Sequence, residues 1–335
     1  MKKLIYTFII IFSFGLFLIG CNSKEMVKVG ISLGPVHERW SKDRDFLIKH
    51  LESNDVKVYV EEAQGSQKRQ NDQIVELVNK KIDVLIIIPV NSEEASSTVN
   101  YAKKEGVKVI AYDRIVRNCD LDYYVSFDNV KVGEQQAEYL TKIKPEGNYV
   151  ILGGAPTDNN SMLLKLGQMN ILQPLIIRGD IQVVLDQYVE NWDSEVAYEI
   201  LNDFLNKNTL QIDAIVASND AISRGAYKAL AEHRLSGKVL LSGQDAEIDA
   251  CKRIVNGNQT MTVYKVIESL AFTTANLAID LARDNKMPNT QTTTNNGQKM
   301  VPAILLQSIM PVTKENIRMT VIADGYLDEE EIFGN

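Results

Sequence analysis

The side chains able to do chemistry in this chain stand mostly where an apolar run stops. Ile88 leads to Pro89 and Asn91, Tyr112 to Asp113 and Arg114, and Leu152 through Gly153-Gly154 to Asp158-Asn159-Asn160. Ala217 leads to Ser218-Asn219-Asp220, and Leu241 to Gly243-Gln244-Asp245. Asp, Asn and Arg are planar groups that each engage two neighbouring hydroxyls at once. The set therefore points to a polar, uncharged ligand held by many hydrogen bonds. Only two tryptophans are present, and both lie in polar segments after a run: Trp40 in Glu38-Arg39-Trp40-Ser41-Lys42 and Trp192 in Glu190-Asn191-Trp192-Asp193. An indole face lies well against the C–H face of a sugar, while core packing is the plainer use of the same residue. Asp113 and Arg114 equally suit a structural ion pair, and Asp220 suits a cap on a helix starting at Ala221.

Catalytic patterns are missing. There is no Gly-x-Ser-x-Gly elbow, His-Glu-x-x-His, Walker A loop or Gly-x-Gly-x-x-Gly after the first run. A glycosidase needs two carboxylates across a bond, one held protonated in an apolar pocket. The carboxylates here sit beside Arg or Asn, which favours ionisation and acceptor duty. No enzyme, cofactor or metal is expected. The formal net charge of -8 argues against nucleic acid, which needs a basic face.

The elements that must position these groups are apolar, β-branched runs alternating with amphipathic stretches. Val84-Leu85-Ile86-Ile87-Ile88, Val107 to Tyr112 and Tyr149 to Leu152 are such runs, with apolar residues three and four apart in Gln70 to Lys80 and Ser194 to Asn206. Near-continuous apolar strands separated by helices mark parallel sheets covered on both faces. In such sheets the ligand crevice lies at the carboxyl ends of the strands, where the polar groups are. The 335 residues imply two such α/β lobes, each a doubly wound parallel sheet.

The chain begins with Lys2-Lys3, an apolar run from Leu4 to Ile19, and Leu18-Ile19-Gly20-Cys21. That layout is an export signal, and its ending resembles a bacterial lipobox. Cys21 is then acylated and tethers the protein to the outer face of a cell membrane, since two or more chains anchor stably. Cys119 and Cys251, far apart in sequence, are expected to be unpaired and buried.

The segments Glu38-Arg39-Trp40-Ser41-Lys42-Asp43-Arg44-Asp45, Ala111-Tyr112-Asp113-Arg114, Val125-Ser126-Phe127-Asp128-Asn129, Asp158-Asn159-Asn160, Val216 to Ala221, Ser242-Gly243-Gln244-Asp245-Ala246 and Gln259 to Lys265 occur in that order. Together they resemble the D-xylose-binding members of the type I periplasmic-binding-protein family, the sugar receptors of bacterial ABC importers. The resemblance runs from about Val27 to Gly325. It implies two α/β lobes joined by a three-strand hinge. It also implies that Arg39, Trp40, Asp113 and Arg114 bind the sugar from one lobe, Asn160, Trp192, Asn219 and Asp245 from the other, and Lys265 from the hinge. Gly34-Pro35-Val36-His37 departs from the more polar residues usual there, which bears on fine specificity.

The implied division is a signal peptide at 1–20, a lipidated linker at 21–26, one lobe at 27–129 and 265–294, the other at 130–264 and 295–330, and a tail at 331–335. Crossings are expected near Asn129, Tyr264 and Asn295, the last on the Asn295-Asn296-Gly297 turn. The partners implied are a monosaccharide, D-xylose foremost, the membrane through the lipid, and an ABC permease. A membrane sensor kinase or chemoreceptor is the alternative docking partner.

Overall fold

The computed structural model describes residues 26–35, 38–285, 290 and 292–334. The export signal, Cys21 and the Val36-His37 pair lie outside the described residues. Alternation along the apolar runs builds both lobes. In strand β3 (Val84–Ile88), Val84, Ile86 and Ile88 enter one core, and Leu85 and Ile87 the core on the opposite face. Side chains of a strand point alternately to its two faces, so a continuous apolar run is buried only between two helical layers.

The first lobe opens with β1 (Lys28–Leu33), α1 (Glu38–Glu52), β2 (Lys57–Glu62), α2 (Gln67–Asn79) and β3. It continues through α3 (Ser96–Lys104), β4 (Lys108–Tyr112) and β5 (Tyr123–Phe127). The second comprises α4 (Asn129–Ile143), β6 (Gly147–Gly153), α5 (Asn159–Arg178), β7 (Ile181–Tyr188), α6 (Ser194–Lys207), β8 (Ala214–Ala217), α7 (Asp220–Glu232), β9 (Leu240–Leu241) and α8 (Ile248–Val255). Its strands run parallel in the order β7-β6-β8-β9. The chain returns through β10 (Thr262–Lys265) to α9 (Ile267–Ala282), which packs Ile267 and Leu270 into the first core.

The third crossing differs from expectation. Strands β11 (Thr292–Asn295) and β12 (Met300–Leu306) form an antiparallel hairpin, and β12 pairs in parallel with β5. Both therefore belong to the seven-stranded first sheet, ordered β11-β12-β5-β4-β3-β1-β2. Asn296 is a turn residue, but of this hairpin: its side-chain oxygen accepts from the N–H groups of Gln298 and Lys299. The chain leaves the lobe only after Leu306, where β13 (Ile309–Val312) pairs antiparallel with β10.

The expected tail is also structured. Helix α10 (Glu329–Phe333) buries Ile332 in a small core with Cys251 and Val312. Cys119 and Cys251 are free and buried. Burial and the nearby Asp120 push the Cys119 thiol up to about 12, so it stays protonated and inert.

Candidate functional site

Several strand ends of the fold pass directly into helix starts, so polar residues there serve two duties. Asp158 caps α5 by accepting from Asn160 N–H at 3.0 Å, and Asn219 caps α7 by accepting from Ile222 N–H at 2.9 Å. From the sequence alone Asp220 suits the cap, but Asn219 fills that place. Asp220 is instead the first of α7, and its carboxylate faces inward. Trp40, expected in a loop, stands in the first turn of α1.

All nine residues singled out from the sequence line one cavity between the lobes. Arg39 is its hub. The guanidinium donates from Nη2 to Asp113 at 2.6 Å, from Nη1 to Asp245 at 3.2 Å and from Nε to Asp43 at 3.1 Å. Lys265 reaches the same Asp245 oxygen at 2.9 Å. Asn160 donates to the Asp113 carboxylate at 3.0 Å, and Arg114 pairs with Asp158 at 2.8 Å. The Arg39–Asp245, Asp113–Asn160 and Arg114–Asp158 contacts all cross between lobes. Ser92 and Arg117 add further bonds to Thr157 and Asn159. The lobes are closed on each other.

Both indoles are 5% exposed, belong to lobe cores and line the cavity. Core packing and site lining thus coincide. The Arg39 and Arg114 guanidinium carbons lie 4.5 and 5.4 Å from the Trp40 ring centre, within cation–π range. The Trp192 ring occupies the space that a side chain at Gly154 would need, which is why glycine stands there. Asp113, Asn191, Trp192 and Asp245 all adopt positive φ. Such backbone is costly for a bulky residue and collects at binding sites.

Electrostatics divide the carboxylates. Burial alone would raise Asp113, but Arg39, Lys265 and Arg114 hold it below the ordinary range. Asp245 is likewise buried and held low, by Lys265 and Arg39. Asp158 goes the other way, because burial outweighs Arg114. Burial carries Asp220 further, to about 7, although Arg253, Gln259 and Thr262 oppose it. For these two, burial works against the ionisation that the polar strand-end setting favours.

Asp158, Gln244 and Glu247 also line the cavity and were not chosen from the sequence. Asp158 and Gln244 belong to the polar strand-end segments Asp158-Asn159-Asn160 and Gly243-Gln244-Asp245, so the signal was present. Glu247, one residue ahead of α8, carried none. Three buried polar atoms of the site have no hydrogen-bond partner among the described residues: Asn160 Oδ1, Gln244 Oε1 and Trp192 Nε1. A buried polar atom left alone costs about 1–3 kcal/mol, and these three together call for two donors and an acceptor. Among the described residues no His, Cys, Asp and Glu side chains are grouped to hold a metal ion.

Two α/β lobes closing on a cavity lined by fixed charges, amides and indoles define a receptor for a small polar molecule. Residues 29–286 match the periplasmic binding protein domain, and the chain belongs to that family. It is 50% identical to the D-xylose-binding periplasmic protein of Haemophilus influenzae over 313 residues, 93% of each chain. It is 48% identical to the protein of that name from Escherichia coli, covering 94% of each. A carbohydrate transporter solute binding protein from Chloroflexus aurantiacus, solved with D-glucose, superposes with a TM-score of 0.84 at 30% identity. That match covers 92% of this chain and 98% of the other. All three are named as binding proteins, the third as that of a carbohydrate transporter.

Proposed function

We propose that this protein captures D-xylose between its lobes on the outer face of a cell membrane, held there by lipid on Cys21, and delivers it to an ABC importer. The observation that carries the reading is the convergence of fixed charges, amides and two indoles on one cavity between the lobes, three of whose lining residues hold a buried polar atom without a partner. A pentose hydroxyl donates and accepts at once, so one ring can satisfy Asn160, Gln244 and Trp192 together. Fixed ions turned toward a neutral ligand give charge-assisted hydrogen bonds without net-charge selectivity. The names of the two relatives near 50% identity supply the choice of pentose.

The direct test is calorimetry with D-xylose, D-ribose and D-glucose, paired with tryptophan fluorescence. Xylose is expected to give saturable heat and a spectral change, because Trp40 and Trp192 are the only indoles. The sugar should be recovered chemically unchanged. No heat with xylose would overturn the reading, and an altered sugar would point to an enzyme.

The anchor has its own test. The parent chain should sediment with membranes and take up labelled acyl groups, whereas Cys21→Ala should do neither while keeping its xylose affinity. A parent chain that stays soluble and unlabelled removes Cys21 as an anchor.

A further inference from the structure

We propose that Asp43, steadied by the Tyr112 hydroxyl, is the positioning residue that aims the Arg39 guanidinium into the cleft, so that the affinity Arg39 confers depends on it. The proposal rests on the reading of Arg39 as a sugar contact. Asp43 does not line the cavity. It lies one turn after Arg39 on α1, on the same helix face. One carboxylate oxygen accepts from Arg39 Nε at 3.1 Å, and the other accepts from Tyr112. Tyr112 ends β4 and immediately precedes Asp113, so one strand end supplies both the clamp and the partner it aims at.

The guanidinium is a planar fork with five N–H groups in fixed directions. With Nε held from behind by Asp43, Nη1 and Nη2 project toward Asp245 and Asp113. Each of those nitrogens carries two hydrogens, and one apiece is used. Among the described residues the others have no partner, which leaves them to a ligand hydroxyl. Neutralising Arg39 does not require Asp43, since Asp113 and Asp245 already flank it. A third carboxylate at 0% exposure is an expensive addition. Burial indeed lifts Asp43 to about 6 against the pull of Arg39. What Asp43 adds is direction.

Calorimetry with D-xylose on the purified protein tests this through a double-mutant cycle of Asp43→Asn and Arg39→Ala. Asparagine keeps the volume and can accept from Arg39 Nε while its amide donates to the Tyr112 hydroxyl, but it turns the charge-assisted bond to Arg39 into a neutral one. Asp43→Asn alone should weaken binding roughly ten-fold, the scale of one charge-assisted hydrogen bond. On top of Arg39→Ala it should cost less than about two-fold, because its effect runs through the missing guanidinium. An equal loss in both backgrounds would mean a merely structural role, and no loss in either would remove Asp43 altogether. Tyr112→Phe deletes only the hydroxyl and carries the same cycle if Asp43→Asn does not fold. A parent protein that gives no heat with any of the sugars overturns the sugar reading and this proposal together. A binding parent with an indifferent Asp43→Asn overturns this proposal alone.

Discussion

Arg39→Ala is expected to weaken D-xylose binding roughly ten- to a hundred-fold, since a hydrogen bond to a charged group is worth ~1.5–3 kcal/mol. Two losses combine in that figure. The direct one is whatever Arg39, a residue lining the cavity, gives the sugar through its remaining N–H groups. The second is the bond from Nη1 to Asp245, which ties the lobes in the closed form at 3.2 Å. Ligand stabilises a closed state only through its differential affinity for it, so a weaker latch raises the share of affinity spent on closure. Removing the arginine also strips Asp113 of its nearest counter-charge, leaving Lys265 and Arg114 to hold it ionised. Calorimetry on a variant with unchanged circular dichroism decides the matter. Undiminished affinity would take Arg39 out of the site.

Strand runs were legible because alternation and apolar continuity leave few other uses for them. Val84–Ile88 is buried along its whole length, as such a run requires. The nine candidate side chains share one cavity because the end of a parallel strand is a fixed place relative to its neighbours. Local pattern could not say which lobe a weak strand joins. Thr292–Asn295 is mostly exposed and polar, so only its pairing with β12 reveals its sheet. The turn at Asn296 was readable as a turn, whereas its role within a hairpin needed the partner strand. Asp43 was hidden for another reason. In sequence it is one charge among many in Lys42-Asp43-Arg44-Asp45, and only the helix turn plus Tyr112, far along the chain, bring it behind Arg39. Asp220 looked like a cap because its neighbour is one.

That same Asp220 should govern the stability of the second lobe. Its carboxylate accepts from Gln259 at 2.9 Å, from Thr262 at 2.8 Å and from the Glu247 N–H at 3.0 Å, and its backbone oxygen accepts from Arg253. It therefore joins α7, the start of α8 and β10 at one fully buried point. Asp220→Ala removes three side-chain hydrogen bonds at a point water cannot reach, at about 1–3 kcal/mol each. The expected loss is about 4 kcal/mol, enough to lower the melting temperature by roughly 10 °C in a lobe of this size. The pH dependence has a definite sign. Burial raises the native carboxyl to about 7, whereas in the unfolded chain it titrates near ~3.9. Between those values the native state holds the extra proton, so this group's contribution to stability falls as pH rises. Alanine has no such slope. The gap in melting temperature between parent and variant should thus be wider at pH 5 than at pH 8, with the other carboxylates common to both. Thermal unfolding at the two pH values reads it directly. Equal melting temperatures, or a gap that widens toward alkaline pH, would show that Asp220 is not the buried acceptor described.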